Sequence, residues 1–417
     1  MKKISQIILL LTLICGVALG QIAPIDPAPV LEPILPEPVT VPNAPTLPKT
    51  PSVMLPLELK VSTSEPEIRD GRLLKIQETK SMYLPIESVL VSRARQNLSS
   101  GLESALQKLA QEVNQPSLDA RFYRLGKIWV AKQRSAWKLD LPKTRAGLLR
   151  ALQSKALTAE AVLVRAAAPK RSVTELYRRG IRYYFGGGSS SFAGSPSYRV
   201  QNILAAAKQL DSLYLERGAV FNFNSSIRLS AKAGFVLGNI IRGNTLSKEI
   251  GGGICQVSTT VWRAAYQAGL PILERHQHSY RVAYYDPPGY EATVFAPSKN
   301  LRFSNDSPNA LWIQFESDTD SGQLEMHFFG VAPERQVQIG QPRISSERPA
   351  PKDRFIADKE VKLGDVQIVS GAESGMKTQI DRIVRYGSRI RRDSTKSRYV
   401  PWGAIYAVNP KDPRVKK

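Results

Sequence analysis

Apolar residues recur at three- and four-residue intervals in three long stretches of the chain. Leu102, Leu106, Leu109 and Val113 mark one amphipathic helix, with Ser100 and Glu103 at capping-box spacing and Pro116 beyond its end. Val200, Ile203, Leu204, Ala207, Leu210 and Tyr214 line one face of a second helix that begins at Tyr198. Val257, Val261, Ala264, Ala265 and Ala268 predict a third helix packed on one side, stopped by Gly269 and Pro271. A shorter helix carries Leu148, Leu149 and Leu152, with Thr144 as its cap.

Elsewhere the period shortens to two. Residues 120–132 hold two β-favouring runs around Leu125, Gly126 and Lys127, a hairpin signal. Residues 219–224 read as a strand, and residues 272–278 as another, directly after the third helix. Short β-rich runs follow at 281–285, 291–295, 310–317, 323–330 and 335–340, and again within 359–371 and 399–408. The Gly- and Ser-rich residues 186–197 break the pattern and read as a loop or domain entry, and the polar residues 345–354 as a link.

These elements predict an α+β chain. A small N-terminal α/β module spans 57–180, and a central α+β domain spans 181–340, with a helix beginning at Cys255 followed by mostly antiparallel strands. A linker at 341–357 leads to a β-rich C-terminal extension at 358–417. Ahead of them lie a signal peptide, residues 1–20, and a Pro-rich linker, residues 21–56.

The signal reading rests on Lys2 and Lys3, the apolar run from Ile7 to Leu13, and the small residues Ala18 and Gly20. The run is shorter than the ~20 residues of a spanning helix. Contact with a membrane is therefore expected only through this segment, if it stays uncleaved. Lipidation at Cys15 is disfavoured by the large Ile14 before it. Cleavage removes Cys15 and leaves Cys255 as the sole cysteine, a thiol with no internal disulfide partner.

A formal net charge of +22 over 417 residues favours polyanionic partners. No helix-turn-helix, zinc-finger or RNP pattern accompanies it, so nucleic acid is not expected. For an exported chain the remaining candidates are peptidoglycan or another anionic envelope polymer.

Candidate chemistry gathers in residues 251–279. Gly251, Gly252 and Gly253 precede Cys255, which falls at a helix start, where unsatisfied amides and the helix dipole stabilise a thiolate. The glycines permit positive φ, and their amides suit an oxyanion. Two of the chain's three histidines, His276 and His278, follow, and alternation along a strand puts both on one face with Glu274. This is the composition of a cysteine nucleophile with an imidazole base and an orienting acid. Two other readings stay open: a structural cysteine, and a metal site of Cys255, His276 and His278 with three protein ligands. No metal or cofactor is expected, and His327 reads as a core histidine.

The motifs at 251–260 (GGGICQVSTT), 274–279 (ERHQHS), 287–295 (PPGYEATVF) and 301–305 (LRFSN) resemble the VanW family of exported bacterial proteins. The resemblance extends to Arg199, Asn202 and the run 221–224, covering about residues 180–315. Residues 106–122 more faintly resemble a peptidoglycan-binding module that often precedes this domain. Glu291 stands where the family usually has aspartate, and residues 216–219 (ERGA) replace an expected Pro-Gly-Glu. The resemblance implies a wall location but carries no established reaction. From the residues themselves, Cys255 is the candidate nucleophile, His278 or His276 the base, and Glu291 or Glu274 the orienting acid. Gly251, Gly252, Gly253, Gln256, Arg275, Arg199 and Asn202 are the candidate substrate contacts. The expected activity is thiol-dependent acyl transfer or amide hydrolysis on a wall peptide; the rival is a non-catalytic wall-binding scaffold.

Overall fold

The computed structural model describes residues 56–242 and 245–415, with backbone alone at 239–242 and 245–249. The expected signal peptide and nearly all of the Pro-rich linker lie outside the described residues. The described chain is α+β and rich in antiparallel strands, as the apolar pattern predicts.

In the N-terminal part a long hairpin, Glu58–Arg69 with Arg72–Tyr83, turns at Asp70 and Gly71, both at positive φ. The expected second hairpin forms from Leu118–Leu125 and Ile128–Arg134 and extends the same sheet. Helix Ser100–Val113 buries Leu102, Leu106 and Leu109 against Leu57, Leu59, Leu148 and Leu152. Its cap is Ser99 rather than Ser100: the Ser99 hydroxyl accepts from the Leu102 amide at 3.4 Å. Asp140, not Thr144, caps helix Leu141–Gln153, accepting from the Lys143 amide at 3.1 Å. Pro142 in the first turn pre-sets the helical φ there and moves the start upstream. Thr144 is buried inside the helix, its hydroxyl taken by the Val162 amide at 2.9 Å.

The central sheet runs in the order Tyr183–Ser191, Gln323–Gly330, Leu311–Asp318, Tyr214–Leu215, all antiparallel. Residues 186–191, expected in a loop, are therefore strand. The glycines serve packing. A Cβ on Gly188 would lie 2.3 Å from the Ala264 nitrogen, and one on Gly186 would lie 2.7 Å from the Ala268 Cβ. Overpacking of this kind costs about 1–3 kcal/mol.

Helix Ile254–Gln267 lies against that strand and against helix Ser197–Leu210. It was expected to pack on one side, yet every residue from Gln256 to Tyr266 is buried. It is the centre of the largest apolar cluster, with Ile203, Phe303, Ile313, Phe328 and Ile380. Its polar residues bond internally, for example Thr260 Oγ1 with Ser190 Oγ at 2.6 Å. Such pairing makes burial of Ser and Thr tolerable, and it hides the helix's buried side from a polarity count.

After the helix, strand character is shorter than the sequence suggests. Residues 272–278 form a strand only at Ile272–Glu274, residues 281–285 hold a 3₁₀ turn, and residues 291–295 make only isolated bridges. By contrast, the expected linker 341–357 contains two paired strands, Arg343–Arg348 and Arg354–Ala357. The long strand Gly375–Tyr386 pairs with Arg335–Ile339 and Arg343–Arg348 along one edge and with Arg389–Tyr399 along the other. The parts also share cores: Ile68, Phe122 and Leu176 pack with Trp312 and Phe329. Among the described residues no helix is long and apolar enough to cross a membrane.

Candidate active site

Two glycines at positive φ, Gly251 (104°) and Gly253 (116°), turn the chain into helix Ile254–Gln267. Gly253 is the N-cap, and a Cβ there would lie 3.0 Å from the Arg199 carbonyl, so both conformation and space demand glycine. Cys255 is thus the second residue of the helix, within the first turn whose amides carry the positive end of the dipole. Its sulfur lies 3.2 Å from Thr293 Oγ1 and 3.6 Å from the Val294 carbonyl. The residue remains partly exposed.

His278 meets the thiol. Its Nδ1 is hydrogen-bonded to Glu291 Oε2, and its backbone amide donates to Glu291 Oε1 at 3.2 Å. With Nδ1 held by the carboxylate, Nε2 is the nitrogen left for Cys255, whose pKa the nearby imidazole lowers. The ring stacks on Tyr285 with centroids 5.3 Å apart. Glu291 is only 2% exposed, and its Oε1 also accepts from the Tyr399 hydroxyl at 2.8 Å. His278, Glu291 and Tyr399 form one hydrogen-bonded series, and Cys255 is electrostatically coupled to its His278 end.

Burial pushes the thiol's pKa up, but the hydrogen bond and charge of His278, with Thr293 and Val294, outweigh it and leave Cys255 below the ordinary thiol value. Burial likewise lowers His278, and its bonds to Cys255 and Glu291 reverse that, raising it to about 9. For Glu291, burial raises the pKa and is overcome by His278, Arg275 and Tyr399, which keep it ionised. All three directions favour the charged forms, a thiolate, an imidazolium and a carboxylate. Tyr285, pushed well up by burial, stays neutral and acts as a wall.

The other predicted residues separate into distinct roles. His276 does not join the thiol's series; its Nε2 meets Glu274 Oε1 at 3.0 Å, and Glu274 Oε1 also accepts from the Asn300 amide at 3.1 Å. The chain leaves strand geometry after Glu274, which breaks the alternation that would have put both histidines on one face. Asn202 and Gln256 are fully buried, and their side chains bond to neighbouring segments of the fold. Asn202 Nδ2 donates to the Gly252 and Val236 carbonyls, and its Oδ1 accepts from the Val236 amide. Gln256 Nε2 donates to Ser190 Oγ and the Ser191 carbonyl, while its Oε1 accepts from Arg199 at 2.7 Å. Arg275 donates to the Glu291 and Gly289 carbonyls and to Ser397 Oγ, bracketing the loop that carries Glu291. Arg199 also bonds Ser195 and lies 5.0 Å over the exposed Tyr284 ring. Thr293, Tyr285 and Tyr399 were not singled out from sequence. Tyr399 lies 108 residues from Glu291 and carries no local signal.

The family described as VanW like protein matches residues 198–329, which include the thiol, both histidines of the loop and Glu291. Over 115 residues the chain is 37% identical to the uncharacterized protein YoaR of Bacillus subtilis (strain 168). That match takes in 27% of this chain, and the chain spans 38% of the relative's length. The crystal structure of HP0197-G5 aligns over 18% of this chain and 97% of its own, at 14% identity and a TM-score of 0.10, too low to carry an argument. Residues 198–329 therefore form a VanW-like domain, and the motifs at 251–305 that resemble the family fall inside that match.

Proposed function

We propose that this chain is an exported, cell-envelope protein that acts on a peptidoglycan peptide by cysteine-dependent acyl transfer or amide hydrolysis. The observation that carries the reading is the gathering of Cys255, a partly exposed residue at a helix start, with His278 and its carboxylate partner Glu291. Nucleophile, base and orienting acid in hydrogen-bonded order are what acyl transfer through a thiol requires.

The Cys255 thiolate attacks the carbonyl carbon of an amide, forming a C–S bond and placing negative charge on the carbonyl oxygen. The first-turn amides beside Gly253 supply the positive end for that charge. Collapse breaks the C–N bond, and the leaving amine takes the proton from His278 Nε2. Water, or an acceptor amine, then attacks the thioester while His278 takes back a proton and the C–S bond breaks. Glu291 stays ionised throughout and holds Nδ1–H, so Nε2 is always the nitrogen that exchanges protons.

The assignment of a wall substrate rests on the family and on charge. A groove of about 600 Å3 beside Gln277 is lined by Arg343, Lys377, Lys396 and Arg398, which suits an anionic polymer running past His278. The test is intact-mass analysis of the full chain after incubation with a wall peptide. A peptide acyl adduct is expected on the wild type and absent from Cys255→Ser. Alkylation at pH 6 gives an independent check. A Cys255 that reacts no faster than free cysteine defeats the catalytic reading and leaves a wall-binding scaffold.

A further inference from the structure

Away from the thiol, the hairpin of Leu311–Asp318 and Gln323–Gly330 carries three potential ligands on one face. Glu316 stands directly opposite Glu325, and His327 lies two residues further along the second strand. Facing carboxylates repel, and a cation between them would relieve that repulsion. One donor atom from each of the three residues lies within 4.8 Å of the others.

His327 is the independent sign of a ligand. It is 6% exposed, and both ring nitrogens lack a hydrogen-bond partner among the described residues. Its Nε2 is 3.2 Å from Glu325 Oε2 and 3.9 Å from Glu316 Oε2, close to both carboxylates but outside hydrogen-bond geometry. The sequence reading of a core histidine is right about burial, but the ring's polar atoms are left unpaired, which is costly. The site is built around the ring. Trp129 and Tyr184 flank it at centroid distances of 4.8 and 5.9 Å, and a Cβ on Gly187 would come within 2.8 Å of Nδ1. Gln314 holds Glu316 Oε1 at 2.9 Å, leaving Oε2 toward the ring.

We propose that Glu316, Glu325 and His327 bind one divalent transition-metal ion of the zinc class. A zinc ion with ligands at about 2.0–2.2 Å separates tetrahedral donors by about 3.4 Å. The Nε2 to Glu325 distance already fits, and the exposed Glu316 side chain moves in from 3.9 Å of Nε2, all three donors lying within 4.8 Å of one another. Burial holds His327 below its ordinary pKa, so its lone pair is available. The ion is reached through a cavity of about 570 Å3 that His327, Glu325, Trp129 and Tyr184 line. It neutralises the facing carboxylates and seats Trp129, on strand Ile128–Arg134, against the central sheet. Arg124 and Lys127 line the same cavity and are the competing cations.

Titration of the full chain with Zn2+ by calorimetry tests this, in a Cys255→Ser background that removes the other zinc-seeking group. One ion per chain is expected, with Kd raised at least tenfold by Glu325→Gln and by Glu316→Gln. Both carboxylates are exposed, so circular dichroism of the metal-free variants should match the parent. Absence of binding in the Cys255→Ser parent overturns the proposal. So does binding that neither substitution weakens, and so does loss of metal-free stability in Glu325→Gln without any zinc binding, which would assign the carboxylate to Arg124.

Discussion

His278, partly buried, and His327, buried, both have carboxylates nearby, and their pKa values move in opposite directions. Burial lowers each. At His278 a carboxylate that is itself buried bonds Nδ1 and a thiolate faces Nε2, so charge pairing in a poorly solvated place overrides desolvation. At His327 the carboxylates of Glu316 and Glu325 are 44% and 48% exposed, so water screens them and desolvation wins. A carboxylate near a buried histidine raises its pKa only when the acid is also withdrawn from solvent and correctly aimed.

Glu291→Gln should erase the difference and have the largest effect. The rate of acylation on a wall peptide should fall about 10³–10⁴-fold, because the orienting acid of a triad is worth that much. The His278 resonance in an NMR titration should move from about 9 to below the ordinary imidazole value. A resonance that stays near 9 breaks the explanation given for the pair.

The pH dependence of stability sharpens the same contrast. The folded pKa of His278 lies above its unfolded value of about 6.5, so its stabilisation is complete below pH 6.5 and is lost as pH rises through about 9. Cys255, depressed in the fold, contributes the opposite slope on the alkaline side and offsets this in the wild type. In Cys255→Ser that offset is gone, and denaturant unfolding should show about 1–2 kcal/mol lost between pH 6.5 and 9.5, the shift being smaller without the thiolate. His327, depressed in the fold, should instead cost stability as pH falls below 6.5, where the unfolded chain takes up its proton. A metal-free sample with a flat acid limb would contradict the second half.

Smaller effects come from the supports. Tyr399→Phe removes one hydrogen bond to Glu291 and one acceptor for the Gly289 amide, and should lower the acylation rate about tenfold while leaving Nδ1 held. His276→Gln should change the rate less than twofold, because that ring pairs with Glu274 outside the thiol's series. A large loss there would restore His276 as a candidate base.

The thiol and its helix start were legible from local rules: three glycines, a lone cysteine, then an apolar period with a Gly stop. Glu291 as an acid was visible through the family motif. The choice between His276 and His278 was not, because it depends on where strand Ile272–Glu274 ends, and a bulge at that point resets the alternation. Asn202, Gln256 and Arg275 looked like surface binding groups because polar side chains usually are, yet each satisfies buried backbone or side-chain atoms contributed by distant segments. The glycines at 186–188 looked like a loop because their reason, close approach of a helix, lies some eighty residues further on.

The hydroxyl that steadies Glu291 comes from strand Arg389–Tyr399, and strand Arg335–Ile339 pairs only with Gly375–Tyr386 among the described residues. A fragment trimmed at residue 340 to isolate the family-matching region would therefore keep every reacting atom and still be a poor proxy for the whole. It would present a raw strand edge to its neighbours, open a path for water onto the carboxylate, and give weak or absent turnover that says nothing about the intact molecule.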